Sequence, residues 1–191
     1  MKKLLLILLC LPLLFSCGDK DLAIGDTHQG GIIFYLDANG GGLIAAPSDQ
    51  HNLDNIPKGS PSAVWGCYKT SIQGADGTSV GTGNQNTIDI INANCSPFLR
   101  TNAIAVNFCS YLTLGGYSDW FLPSKDELNQ MYLNIGQGNA LGLGNVGGFA
   151  NGYWSSTEFN GESAWRQWFL TGFQTNDFKF GASNVRAIRA F

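Results

Sequence analysis

Charged residues are scarce in this chain. Only 13% of its 191 residues are Asp, Glu, Lys or Arg, and the formal net charge is −3. No basic tract occurs, so nucleic acid is excluded as an expected partner. Histidine is scarcer still: His28 and His51 are the only two, and neither has a partner at metal-ligand spacing, so no zinc site is expected. Neither has an evident acid partner, and there is no Gly-x-Ser-x-Gly elbow, which removes a Ser-His-Asp triad from consideration. A phosphate loop is also missing. No catalytic residue is assigned, and an enzyme is not expected. Long apolar runs are absent too, since Leu4–Leu14 is too short to span a bilayer as a permanent helix.

That short run has a different meaning. Lys2 and Lys3 precede it, and Leu14-Phe15-Ser16-Cys17 closes it with a small residue directly before the cysteine. This is the build of a signal peptide, and its end matches the bacterial lipobox. Residues 1–16 are therefore read as a lipoprotein signal, Cys17 as the lipidation site and 17–25 as a lipidated tether. Each buried methylene adds about 0.8 kcal/mol of membrane affinity, so several acyl chains on one residue make a stable anchor. Gly18 stands where an aspartate would resemble an inner-membrane retention signal. The run Asp19-Lys20-Asp21 resembles the tether of surface-exported lipoproteins in some Gram-negative bacteria. An outer-membrane lipoprotein, exposed at the cell surface, is the expectation.

Residues 26–191 are long enough for one domain with a substantial core, and no repeat or linker divides them. Cys10 leaves with the signal and Cys17 carries lipid. Cys67, Cys95 and Cys109 then allow one disulfide and one leftover thiol. Cys67 with Cys95 is the expected pair, because both fall in loop or helix-end contexts. Cys109 sits in an apolar helix and reads as a small buried hydrophobe.

Gly30–Asp37 and Gly42–Asp49 are apolar runs flanking Ala38-Asn39-Gly40-Gly41, a β-hairpin signal. A calcium reading of Asp37 and Asn39 lacks the spaced carboxylates of a binding loop, so no cofactor is supported by motif. Residues 50–64 read as a polar loop and Trp65–Tyr68 as a short buried strand. Thr87–Ala93 predicts a short helix. Thr101–Leu112 predicts a better one, with Ile104, Ala105, Phe108, Cys109 and Leu112 on one face and Gly115-Gly116 ending it. Ser124 followed by Glu127 forms a capping box that opens a helix from Lys125 to about Asn134.

Residues 134–152 hold seven glycines and four asparagines. A loop this long is either functional or a passive insertion, and both readings stand. Four candidate strands follow, at Tyr153–Glu158, Ala164–Thr171, Phe173–Phe180 and Asn184–Phe191. They predict an antiparallel meander whose last strand pairs near the first.

Three segments carry a resemblance: the run from Gly115 to Leu128 (GGYSDWFLPSKDEL), Tyr153-Trp154-Ser155-Ser156, and the terminal Val185-Arg186-Ala187-Ile188-Arg189-Ala190-Phe191. In this order and spacing the chain resembles the Lcl C-terminal domain family, named from a collagen-like bacterial adhesin, over nearly all of 24–191. The resemblance implies a C-type-lectin-like fold of α+β class, with antiparallel strands, two main helices and long loops, the long loop region facing ligand. It further implies adhesin-like binding of polysaccharide. The collagen-like stalk is missing, so avidity through trimerisation does not carry over. Many relatives place a cysteine where this chain has Ala187; if that cysteine pairs with the position of Cys109 elsewhere, Cys109 is left free here. The formylglycine-generating family shares the implied fold, but its reactive cysteine pair has no counterpart after Cys109. The Glu-Pro-Asn, Gln-Pro-Asp and Trp-Asn-Asp triplets of calcium-dependent sugar binding are also missing.

Asp119, Glu127, Arg186 and Arg189 fall in segments that should pack together. The two arginines have opposite strand parity, and one is expected to pair inside with Glu127 or Asp119, as a structural ion pair and not a catalytic one. In Ala164–Leu170, Trp165, Gln167 and Phe169 share one face, and Arg166, Trp168 and Leu170 the other. The candidate ligand-binding residues are Trp154, Glu158, Asn160, Trp165, Gln167 and Asn176, with Glu162, Gln174 and Asp177 in neighbouring loops. The expected function is noncovalent recognition of a glycan or protein at the cell envelope. The alternatives are a structural envelope-assembly lipoprotein and, less favoured, an enzyme related to formylglycine-generating proteins without their cysteine pair.

Overall fold

A computed structural model describes residues 21–50, 62–95 and 104–191. The signal segment, Cys17, the start of the tether, His51, most of the polar loop at 50–64 and the expected first turn of the Thr101–Leu112 helix lie outside the described residues. The class is α+β, with two sheets and three helices among the described residues. The first sheet has the order β1-β2-β3-β9, from Thr27–His28, Gly31–Leu36, Gly42–Ala45 and Ile188–Ala190, all antiparallel. The second has the order β4-β8-β5-β6-β7, from Ser62–Val64, Ala182–Asn184, Gly152–Glu158, Ser163–Trp168 and Gln174–Phe178. Only β8 against β5 is parallel in it.

The hairpin of β2 and β3 forms where the Asn39-Gly40 signal places it. Asp37 Oδ1 accepts from the amides of Asn39 (2.7 Å) and Gly41 (3.0 Å), and Gly40 takes φ +88°. That carboxylate oxygen is spent closing the turn, which accounts for the aspartate without an ion.

Helix α3 (Lys125–Ile135) opens on the expected capping box, with Ser124 Oγ accepting from the Glu127 amide and Glu127 accepting from Ser124 N. It lays Leu128, Met131 and Ile135 into a core with Phe34, Phe149, Tyr153, Phe169 and Ile188. A second core gathers Trp65, Trp154, Ile90, Val106, Cys109, Leu122 and Ala187. Helix α1 (Gly83–Asn92) starts a turn earlier than the sequence predicts, and Glu127 reaches across to its first residue. A Cβ at Gly83 would collide with Glu127 Oε2, so only glycine fits there.

Three local expectations need correction. Strand β4 ends at Val64, before the Trp65–Tyr68 segment, since Gly66 (φ +103°) and Cys67 (φ +53°) turn the chain out of extended geometry. Helix α2 spans Ala105–Ser110 and stops short of Leu112. Gly115 and Gly116 do not end it but form the centre of a tight turn, both with positive φ, closed by reciprocal hydrogen bonds between Leu114 and Tyr117. Finally, Asn184–Phe191 is not one strand. Val185–Ala187 crosses between sheets, so β8 joins the second sheet and β9 the first, and a simple meander does not form. β9 does lie in the sheet of the first hairpin, against β3.

Cys67 and Cys95 are joined by a disulfide, and Cys109 is free and buried, its thiol pushed up by desolvation.

Candidate functional site

The expected ligand-binding residues separate by burial. Trp154 belongs to the core: it is fully buried and its Nε1 donates to the Ala63 carbonyl at 2.9 Å. Gln167 is equally enclosed, its amide donating to Asn129 Oδ1 (2.9 Å) and the Gly172 carbonyl (3.1 Å), which ties β6 to α3 and to the β6–β7 turn. Glu158 is buried as well. Its oxygens accept from the Ile72 amide at 3.1 Å and pair with Lys179 Nζ. Lys179 in turn donates to the Thr70 carbonyl (2.8 Å) and lies 4.7 Å from the Trp65 ring centre; burial lowers its pKa, against the pull of Glu158. All three are structural, and parity alone could not say so, because both faces of this sheet are covered over much of their area.

Asn160, Trp165 and Asn176 remain, and the fold brings them together. In the β6–β7 register Trp165 faces Asn176 and Ser163 faces Phe178, so these four share one face. Asn160 shapes the β5–β6 turn, its Oδ1 accepting from Glu162 N (2.8 Å), Ser163 N (2.9 Å) and Ser163 Oγ (3.0 Å). Between that turn and β7 lies an open recess of about 200 Å³, lined by Phe159, Asn160, Glu162, Ser163, Asn176, Asp177 and Phe178. Phe159 and Phe178 are about half exposed at its walls. Phe178 stacks on Phe180 at 5.2 Å, and Phe180 meets Tyr68 edge-on at 4.8 Å. Trp165 is only half available: Phe159 abuts its edge, and Lys125 Nζ sits 3.9 Å over its ring. Asp177 forms the rim with Arg166 at 2.9 Å.

The polar groups in the recess differ in what they already hold. The Asn160 oxygen is saturated, whereas its Nδ2, the Asn176 amide and the Glu162 carboxylate take no hydrogen bond among the described residues. Two aromatic walls with unengaged amide and carboxylate groups between them suit a ligand that combines apolar faces with hydroxyls. Phe159, Phe178 and Phe180 were missed from the sequence. Phe173–Phe180 reads as an aromatic strand either way, and alternation does not tell which face is left uncovered.

Of the charged residues of the motif, one arginine takes an expected partner, while the other arginine and Glu127 do not pair as expected. Arg189 pairs with Asp119, bonds Gln29 and stacks on Tyr117 at 3.7 Å. Arg186 is buried and takes Asp49 instead, at 2.8 and 2.6 Å, while donating to the carbonyls of Ala46 (3.1 Å) and Gly147 (2.7 Å) and lying over Phe149 at 4.3 Å. Glu127 has no cation among the described residues. It caps α3 and accepts from Gly81 N at 2.8 Å. Burial pushes its carboxyl above the ordinary glutamate range, opposed by the amides of Ser124, Gly81 and Gly83.

Among the described residues no group of three His, Cys, Asp or Glu side chains is placed to hold a metal ion, and no helix is long and apolar enough to cross a membrane. The spacing Gly142-x-Gly144-x-x-Gly147 follows no strand and opens no helix, so it lacks the setting of a phosphate cradle. Fold and recess together define an α+β domain with an open, partly aromatic recess at its surface. The chain matches no protein-family model and no curated protein.

Proposed function

We propose that this chain is an outer-membrane lipoprotein, anchored through Cys17, whose single domain has a C-type-lectin-like fold and binds a glycan noncovalently in the recess between the β5–β6 turn and β7. The observation that carries the reading is the pairing of Phe159 and Phe178 with the unengaged groups of Asn160, Glu162 and Asn176. Aromatic rings cover the apolar faces of a sugar, and amides and carboxylates take its hydroxyls, as ligand sites generally combine an apolar lining with a few fixed polar groups. The resemblance to the Lcl C-terminal domain family supports a polysaccharide in particular. A protein ligand is the second reading, favoured by the continuation of the aromatic surface through Phe180 to Tyr68.

The test is a glycan array probed with the lipidated chain in detergent, beside its Asn176→Ala and Phe178→Ala variants. Selective binding that falls about tenfold or more in either variant, equivalent to about 1.4 kcal/mol, supports the site. A blank array from folded protein overturns the glycan reading and sends the search to envelope proteins by crosslinking.

A further inference from the structure

No charged side chain occurs between Glu127 and Glu158. Within that span, residues 136–148 form a loop whose asparagine and glutamine side chains bond backbone in and beside it. Asn139 Oδ1 accepts from the amides of Leu141 (2.8 Å) and Leu143 (3.2 Å), and Asn139 Nδ2 donates to the Asn134 carbonyl. Asn145 clasps both backbone groups of Phe149, at 2.8 and 3.0 Å, and Gln137 donates to the Phe149 carbonyl at 2.7 Å. Gly147 is held at both ends, its amide on the Ile135 carbonyl (2.9 Å) and its carbonyl on Arg186 (2.7 Å). Beside the exposed but backbone-bonded Gln137 and Asn145, the loop exposes aliphatic side chains: Leu141 is 58% exposed, Val146 43% and Leu143 37%. Such a loop is not built for a water-facing role alone. A surface that enters a low-dielectric medium should carry no charge, and this loop carries none.

Its position supplies the occupant. Leu143 packs over Gly25 so closely that a Cβ there would lie 2.8 Å from its Cδ1. Leu22, three residues earlier, is also exposed. Only four residue steps separate Asp21 from Cys17, a reach of about 14 Å at most for extended chain. If Cys17 carries acyl chains, the end of the domain bearing Leu22, Gly25 and the loop is held against the membrane surface.

Resting on the lipid-anchor reading above, we propose that Leu141, Leu143 and Val146 insert into the bilayer that holds the Cys17 lipid. The loop thereby fixes the orientation of the domain on the membrane. Acyl chains alone leave a tethered domain free to tumble, and an uncharged aliphatic loop beside the tether removes that freedom.

The experiment uses the full lipidated chain reconstituted in vesicles of phosphatidylethanolamine and phosphatidylglycerol. An environment-sensitive fluorophore is placed at Leu141→Cys, with Val146→Cys as a second position and Phe178→Cys as the control. Cys67 and Cys95 are bonded and Cys109 is buried, so the introduced thiol is the one labelled. The expected result is a blue-shifted emission at 141 and 146 that nitroxide-bearing lipids quench, with neither effect at 178. Equal, weak quenching at all three positions overturns the proposal. So does a blue shift at 141 that grows with the protein-to-lipid ratio and resists lipid-borne quencher, because it assigns the loop to a second copy of the chain. The mass of the purified protein separates the two readings. A chain without acyl groups on Cys17 removes the tether argument and overturns both, whereas an acylated chain with an unquenched loop overturns this one alone.

Discussion

The recess beside β7 and the loop at 136–148 are both built on connections, yet they use their polar side chains in opposite ways. In the loop, the side chains of Asn139, Asn145 and Gln137 are engaged with backbone even where they are exposed, and leucine and valine stand exposed beside them. In the recess, Asn160 and Asp177 use one oxygen each in that way, while the side chains of Asn176 and Glu162 stay unengaged beside two half-exposed phenylalanines. The first arrangement suits a partner that offers no hydrogen bonds. The second suits one that offers many. The contrast shows that an asparagine-rich segment is not thereby a polar surface, since an amide satisfied by its own backbone has little left for a ligand.

The comparison breaks first at Arg186. It holds the loop through Gly147 and Phe149 and is itself buried. Arg186→Met should cost about 3 kcal/mol in denaturant unfolding, at the low end for breaking a buried pair because Asp49 keeps some contact with water. Hydrogen exchange at Gly147 and Phe149 should rise at the same time. An unchanged midpoint would mean that the loop is held without the arginine.

Glu127→Gln tests the base on which both regions stand, since α3 packs under β6 and leads into the loop. The glutamine keeps one acceptor oxygen but not two, and a loss of about 1–3 kcal/mol follows for the amides left unpaired. Its pH dependence has a defined sign. Burial raises the Glu127 pKa in the folded state, so its titration contributes stability that is complete below the unfolded glutamate value and is lost as pH rises through the raised folded value. Wild-type unfolding free energy should fall across that window relative to the variant, measured by urea titrations at a series of pH values. A difference that widens instead as pH rises would show that the amides outweigh burial.

The smallest effect belongs to the rim of the recess. Asp177 and Arg166 are both partly exposed, so Asp177→Asn should change stability by no more than about 1 kcal/mol. A larger loss of stability would make the recess a structural element like the loop and weaken the contrast between them.

Much of this was legible from local signals. The capping box at Ser124 and Glu127 and the Asn39-Gly40 turn depend on neighbours in sequence, and the cysteine pair on the loop and helix-end settings of its members. Other residues resisted for a common reason. Trp154 and Phe178 are both aromatic residues on strands, and only the layer packed against each face buries the one and exposes the other. Arg186 could be assigned to an internal pair, but its partner Asp49 lies in a loop of unremarkable composition, and nothing local marks it. Gly115-Gly116 carried a strong breaker signal, while its use as a hairpin turn depended on what Leu114 and Tyr117 could reach.

By itself, then, the sequence determined the presence of both helices and strands, the start of α3, the Asn39-Gly40 turn and the uncharged character of the stretch between Glu127 and Glu158. These follow from the chemistry of a few consecutive residues. Tertiary structure alone decided that Val185–Ala187 crosses between two sheets, that Arg186 reaches Asp49, and which aromatic face stays open. Those outcomes depend on segments far apart in the chain competing to cover the same surface, and no local pattern records which of them wins.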